Sequence, residues 1–251
     1  MKALLVANWK MNPASWRDAK TLFEATKKAG DKAKHVSVVV APPSIYLRDL
    51  KSRSKSRRIA FAVQHAHFET MGAYTGEISL AQAADSGASY AIIGHAERRE
   101  RGETDEDTGK KILASLALKM TPVLCIGEKV RTQSGEHFNV VRSQLHAALL
   151  NVQPPQVKNI VVAYEPLWTI GKEVPMSPRD MHEMAIFIRK SVVDMKGESG
   201  MKVRVIYGGS VDEHSAVSML QDGDVVGLLV GRASSDAARV ATLLQAIENA
   251  K

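Results

Sequence analysis

Short β-branched apolar runs alternate along the chain with segments of helical spacing. The runs are Leu4–Asn8, Val36–Ala41, Ile59–Gln64, Tyr90–Gly94, Pro122–Ile126, Ile160–Glu165, Val203–Tyr207 and Val225–Val230. Val36-Ser37-Val38-Val39-Val40 and Ile160-Val161-Val162-Ala163 are almost continuously apolar, as parallel strands covered on both faces must be. Between the runs, Met181, Met184, Ala185, Ile188, Val192 and Met195 line one helix face. Ser177 can cap that helix, with Pro178 in its first turn and Asp180 at its positive end. Val240, Leu243, Leu244 and Ile247 repeat the spacing after the start signal Ser234-Ser235-Asp236. The methionines on these faces read as core fillers. About eight strand–helix units predict an α/β fold, a (β/α)8 barrel of eight parallel strands surrounded by helices. An open doubly wound sheet is the alternative, but its glycine-rich fingerprint is missing after the first strand, where Ala7-Asn8-Trp9-Lys10-Met11-Asn12 stands. No linker, low-complexity tract or composition break divides the sequence, so residues 1–251 are expected to form one domain.

A chain of 251 residues can bury a large core. No apolar run approaches the roughly 18 residues of a membrane span, so no membrane is expected as a partner. The opening segment Met1–Asn8 lacks the apolar stretch and cleavage site of a signal peptide. The lone Cys125 cannot form an internal disulfide. Both features point to the cytoplasm. A formal charge of +7 gives a field that attracts anions. Lys51, Arg53, Lys55, Arg57 and Arg58 concentrate basic charge in one stretch. No aromatic residue within it could stack on bases, so it is expected to be a solvated helix–strand connection, with no nucleic acid as partner.

Active sites of (β/α)8 barrels lie at the C-terminal ends of the strands. Strand one runs into Asn8-Trp9-Lys10, which puts a compact cation at the barrel mouth. His95 follows strand four, and metal ligation there is disfavoured because no partner has ligand spacing. Glu165 ends strand six, where partial desolvation suits a general base. Gly208-Gly209-Ser210 and Gly231 follow strands seven and eight, and small residues let backbone N–H groups approach an anion. Each residue alone has a structural explanation. Together, a Lys, a His and a Glu facing a phosphate cradle suit proton transfer at a carbon beside a carbonyl, with no metal or cofactor required.

Four segments carry a resemblance to a known family: Ala7–Asn12, Gly94-His95-Ala96-Glu97-Arg98-Arg99, Ala163-Tyr164-Glu165-Pro166-Leu167-Trp168 and Tyr207-Gly208-Gly209-Ser210-Val211. Their order and spacing resemble those of triosephosphate isomerases across the whole chain. Leu124-Cys125-Ile126-Gly127-Glu128 is similar to the end of that family's fifth strand. The resemblance implies interconversion of dihydroxyacetone phosphate and D-glyceraldehyde 3-phosphate, a step of glycolysis and gluconeogenesis. It implies Glu165 as the base and His95 as the neutral electrophile, the roles known for this family. Lys10 would offset negative charge, Asn8 would hold the site, and Glu97 would position Lys10. Gly171, Ser210, Gly231 and Arg232 would present N–H groups to the phosphate. Pro166 to Met176 would form a lid that excludes water.

The chain departs from the family pattern in the lid, where Lys172, Glu173 and Val174-Pro175-Met176 stand and Pro175 restricts a hinge. It departs also at Arg232 in place of a second glycine, at Ala96 in place of serine, and at His65 in place of asparagine. No reacting group is lost. Gly72-Ala73-Tyr74-Thr75-Gly76-Glu77-Ile78-Ser79 resembles the family's dimer loop, which implies a homodimer with Thr75 inserted near the partner's active site. Another phosphate-binding barrel, and a barrel that binds triose phosphate without turning it over, are the competing readings.

Overall fold

The computed structural model describes residues 2–54, 56, 58–169 and 176–250. Eight parallel strands close into a barrel in sequence order: β1 (Ala3–Asn8), β2 (Val36–Ala41), β3 (Ile59–Val63), β4 (Tyr90–Ile93), β5 (Thr121–Ile126), β6 (Val161–Tyr164), β7 (Arg204–Tyr207) and β8 (Gly227–Val230). Closure is made by β1 against β8, with Leu4 opposite Gly227 and Ala7 opposite Val230. Helices α1 (Trp16–Lys32), α2 (Ser44–Arg53), α3 (Leu80–Asp85), α4 (Ala96–Arg99), α5 (Asp105–Ala117), α6 (Glu136–Leu149), α7 (Pro178–Lys196), α8 (Glu213–Asp222) and α9 (Ala237–Asn249) form the outer layer. The (β/α)8 architecture is the one the alternating pattern predicts.

Residue alternation divides the core in two. Leu4, Val6, Val39, Ala62, Cys125, Val161, Ala163, Ile206 and Leu229 fill the barrel interior. Their neighbours Leu5, Ala7, Val38, Phe61, Leu124, Val162, Val205 and Leu228 face the helices. A period of two therefore decides which side chains look inward. Gly227 is required at closure, because a Cβ there would lie 2.1 Å from the Leu4 carbonyl oxygen.

The helix signals hold at the expected places. Ser177 Oγ accepts the Asp180 N–H at 3.1 Å and starts α7, which buries Met181, Met184, Ala185, Ile188 and Val192. Asp236 caps α9 through the N–H groups of Ala238 and Arg239. Strands β3, β4 and β6 end one residue earlier than the apolar runs suggest, at Val63, Ile93 and Tyr164. Gln64, Gly94 and Glu165 are thus the first residues beyond the ladder.

The described part of the basic stretch lies against the barrel's own surface. Lys51 sits over Phe61, Arg53 over Trp16, and the Arg58 guanidinium donates to the carbonyls of Asp31 and Ala33. Lys55 and Arg57 lie outside the described residues. Among the described residues no helix is long and apolar enough to cross a membrane.

Candidate active site

The inward parity of the strands continues to the last residue of β1 and one step past the ends of β3, β5, β6, β7 and β8. Leu4 and Val6 lead to Asn8, Ala62 to Gln64, Cys125 to Gly127, Ala163 to Glu165, Ile206 to Gly208 and Leu229 to Gly231. Apolar side chains give way at this level to polar groups and glycines. The result is a cavity of about 320 Å³ bordered by Asn8, Lys10, His95, Glu165, Ser210 and Gly231, with Arg232 and Arg239 also on its lining. A larger space of about 500 Å³ lies between the C-terminal halves of α1 and α9. Helices of such a barrel run antiparallel to its strands, so that space is at the opposite end from the strand C-termini and away from this chemistry.

Lys10 is held in an uncommon backbone conformation, with φ of 53°. A non-glycine residue in the left-handed region carries strain that its surroundings must hold. Two side chains do so. Asn8 Oδ1 accepts the Lys10 N–H at 3.1 Å, and Gln64 Nε2 donates to the Lys10 carbonyl at 2.8 Å and to that of Ala41 at 2.7 Å. The ammonium then meets Glu97 Oε1 at 2.5 Å. Burial pushes the Glu97 carboxyl up, but the Lys10 hydrogen bond and charge outweigh it and hold the group below its usual range. Glu97 does not border the cavity, so it acts on Lys10 from behind.

His95 precedes α4, and its Nδ1 accepts the Glu97 N–H at 3.2 Å. A nitrogen that accepts carries no proton, so the neutral ring has its proton on Nε2. That nitrogen lies 3.4 Å from Glu165 Oε1. Glu165 Oε2 accepts the Ala96 N–H at 3.3 Å, and Glu165 is only 3% exposed. Gly208 leaves room for this carboxylate, since a Cβ there would lie 2.8 Å from Glu165 Cγ.

The residues that follow β7 and β8 form another part of the wall of the cavity. Ser210, Gly231 and Arg232 all border it, and Arg232 opens a 3₁₀ turn, Arg232–Ser235, that begins directly after Gly231. Beyond this turn α9 begins at Ala237, and its first-turn Arg239 also borders the cavity. Ser234 Oγ donates back to the Val230 and Gly231 carbonyls at 2.7 and 2.8 Å. The structure thus gathers Asn8, Lys10, His95, Glu165, Ser210, Gly231 and Arg232. Gly171, with the lid residues from Ile170 to Pro175, lies outside the described residues.

Gln64 is the functional neighbour that sequence reading passes over. The strand-end rule that selects Lys10, His95 and Glu165 applies to it equally, since it is the first polar residue after β3. Glu128 is a second case: buried, it accepts from Tyr164 Oη at 2.8 Å and from Trp168 Nε1 at 2.8 Å. It ties the segment after Glu165 to the end of β5.

Beneath His95, Glu103 supports the turn at Gly94. Its Oε1 accepts the Gly94 N–H at 3.2 Å and Lys111 Nζ at 3.0 Å. Burial raises the Glu103 carboxyl, but the His65 ring and the Lys111 ammonium reverse this and hold it at about 2. His65, at 3.7 Å, is beyond hydrogen-bond reach, so Lys111 is the firm partner. A carboxyl depressed on folding stabilises the protein above its unfolded value, and that stability is lost as pH falls through the folded one. Urea titrations should therefore show a loss of about 3 kcal/mol assignable to Glu103 between about pH 4.5 and 2. Glu103→Gln should be destabilised near neutral pH and lack that portion of the acid loss; identical acid limbs for the two proteins would refute the assignment.

Comparison with known proteins agrees with this site. The family profile described as "Triosephosphate isomerase" matches residues 3–247. A protein named "Triosephosphate isomerase" from Endomicrobium trichonymphae is 38% identical over 238 residues, covering 94% of this chain and 95% of the relative. With the barrel, the strand-end residues and these matches in agreement, the chain belongs to the triosephosphate isomerase family.

Proposed function

We propose that this protein interconverts dihydroxyacetone phosphate and D-glyceraldehyde 3-phosphate by proton transfer through an enediolate, as a step of glycolysis and gluconeogenesis. The observation that carries the reading is the convergence of Glu165, the His95 Nε2 and Lys10 on one cavity whose far side is built from Ser210, Gly231 and Arg232. Glu165 takes a proton from the carbon beside the carbonyl and, after exchange of that proton with solvent, delivers one to the neighbouring carbon. The Nε2–H of His95 and the Lys10 ammonium stabilise the oxygen on which negative charge develops. His95 Nε2 gives its proton to that oxygen and takes one from the neighbouring hydroxyl, so that the carbonyl moves to the adjacent carbon. Donors aimed at such an oxygen are each worth about 3–4 kcal/mol in the transition state. Asn8 and Gln64 fix the Lys10 backbone, and Glu97 holds its ammonium. The N–H groups of Gly171, Ser210, Gly231 and Arg232 take the phosphate. Residues 1–251 act as one catalytic domain, since the strands that close the barrel come from both ends of the sequence.

The proton route gives a direct test. Purified protein turning over in D₂O should yield product carrying solvent deuterium on the carbon that received the proton, because a carboxylic acid exchanges with solvent. Conversion with no label in the product, together with undiminished conversion by Glu165→Gln, would point to direct hydride shift and remove Glu165 from its role. Binding without conversion would favour the non-catalytic barrel.

We also propose a homodimer joined through the loop around Thr75. Its base is pinned by the bonds of His67 with Ile78 and Leu80, and His67 stacks on Tyr74 at 4.2 Å. From that base the loop exposes Met71 at 84% and Tyr74 at 46%. Met11, beside Lys10, is 92% exposed. An unpaired charge buried in such an interface costs about 3 kcal/mol, roughly a hundredfold in affinity. Thr75→Arg should therefore sediment as a monomer at concentrations where the parent is dimeric. A parent that is itself monomeric would end this proposal. A lone buried Cys125 and a glycolytic reaction fit a cytoplasmic location.

A further inference from the structure

Two arginines border the phosphate side of the cavity. Arg232 follows Gly231 directly, and Arg239 lies in the first turn of α9. Both are exposed. The arginine salt bridges among the described residues belong to Arg99, Arg131 and Arg189, so neither rim guanidinium is neutralised that way. The carboxylate on this rim, Asp212, is engaged by its own helix. Its Oδ1 accepts the N–H groups of His214 and Ser215 at 3.1 and 2.8 Å and the Ser215 hydroxyl at 2.8 Å. On the isomerase reading a single phosphate is taken by backbone N–H groups, which leaves two guanidinium groups outside that contact set. A guanidinium matches phosphate oxygens in a forked pair of hydrogen bonds, which an ammonium cannot do.

We propose that Arg232 and Arg239 form a second anion subsite on the outer side of the phosphate cradle. Through it the cavity takes compact ligands with two adjacent phosphoryl groups, in competition with triose phosphate. The competition rests on the isomerase reading; the subsite itself does not. Pyrophosphate is the probe and orthophosphate the one-group control, both at fixed ionic strength. Inhibition of isomerisation and direct calorimetric binding are measured for the parent, for Arg239→Gln and for the double variant Arg232→Gly with Arg239→Gln. The glycine keeps the N–H at position 232, and Arg239 is an exposed helix position whose exchange leaves the fold unstrained. Pyrophosphate binding should weaken about threefold in the single variant and about tenfold in the double variant, with orthophosphate changing less. A ratio of pyrophosphate to orthophosphate affinity that is the same in all three proteins overturns the subsite even if each isomerises normally. A parent that binds pyrophosphate through these arginines yet converts no triose phosphate overturns the isomerase reading and leaves the subsite standing.

Discussion

Glu165→Gln should lower turnover by about 10²–10⁴-fold or more while leaving the fold intact. The amide has the shape of the carboxylate. Its oxygen can still accept the Ala96 N–H that now reaches Oε2 at 3.3 Å, and Gly208 still leaves it room. What it cannot do is accept a proton from carbon. The loss should therefore fall on kcat, with KM changed by much less, because the phosphate contacts on the far side of the cavity are untouched. Steady-state assays on protein from a host lacking its own isomerase, paired with thermal melts, check both parts. Equal turnover in variant and parent would mean that another group is the base.

Gly127→Ala should damage stability and turnover together. A Cβ at Gly127 would lie 1.8 Å from the Glu165 carbonyl oxygen and 2.6 Å from its carbonyl carbon. Both atoms are backbone, so no rotamer change relieves the clash. The neighbours are also fixed: the Glu165 N–H donates to the Ile126 carbonyl at 2.7 Å, and the Gly127 N–H donates to Gln144 Oε1 at 2.8 Å. Overpacking of this kind costs about 1–3 kcal/mol and sometimes more. For a domain of this size, 3 kcal/mol corresponds to a fall of about 6–12 °C in Tm. Pushing β6 aside also moves the base, and displacement by about 1 Å can cost a further hundredfold in kcat. A variant with the parent's Tm and kcat would show that the ends of β5 and β6 separate freely, contrary to this packing.

Much of this was legible in the amino-acid order because two periodicities do the specifying. The β-branched runs give the strands, and their period of two, carried one step beyond the ladder, marks the residues that enter the cavity. Glu165 lies one step beyond the ladder, and Gln64 would be found by the same rule; Asn8 is the last residue of β1 itself, and its role comes from the family resemblance. Lys10 and His95 are harder, since each stands after a local change of backbone direction. Lys10 has a positive φ, and His95 follows Gly94 at φ of 71°. Their places after strands one and four select them as candidates, but no hydrophobic pattern encodes such turns, so what their side chains meet is given only by the Asn8, Gln64, Glu97 and Glu165 contacts. Glu103 and Lys111 escape the pattern for another reason: a buried ion pair uses residue types that otherwise mark surface. Arg239 is invisible for a third. Its place beside the cavity depends on how α9 returns to the barrel mouth after the turn at Arg232, a matter of three-dimensional path.

The lone thiol has a use of its own. Cys125 lies in the barrel interior at 0% exposure, and burial first, then the charge of Glu165, pushes its thiol well above the usual range. An alkylating reagent needs the thiolate and a path to it, and the closed ring of strands supplies neither. Labelling must wait until the staves part. With a single cysteine in the chain, the rate of modification under native conditions is a clock for opening of the barrel itself, insensitive to fraying of the outer helices. The protein thus carries, at the foot of Glu165, an intrinsic gauge of how often its innermost compartment admits solvent.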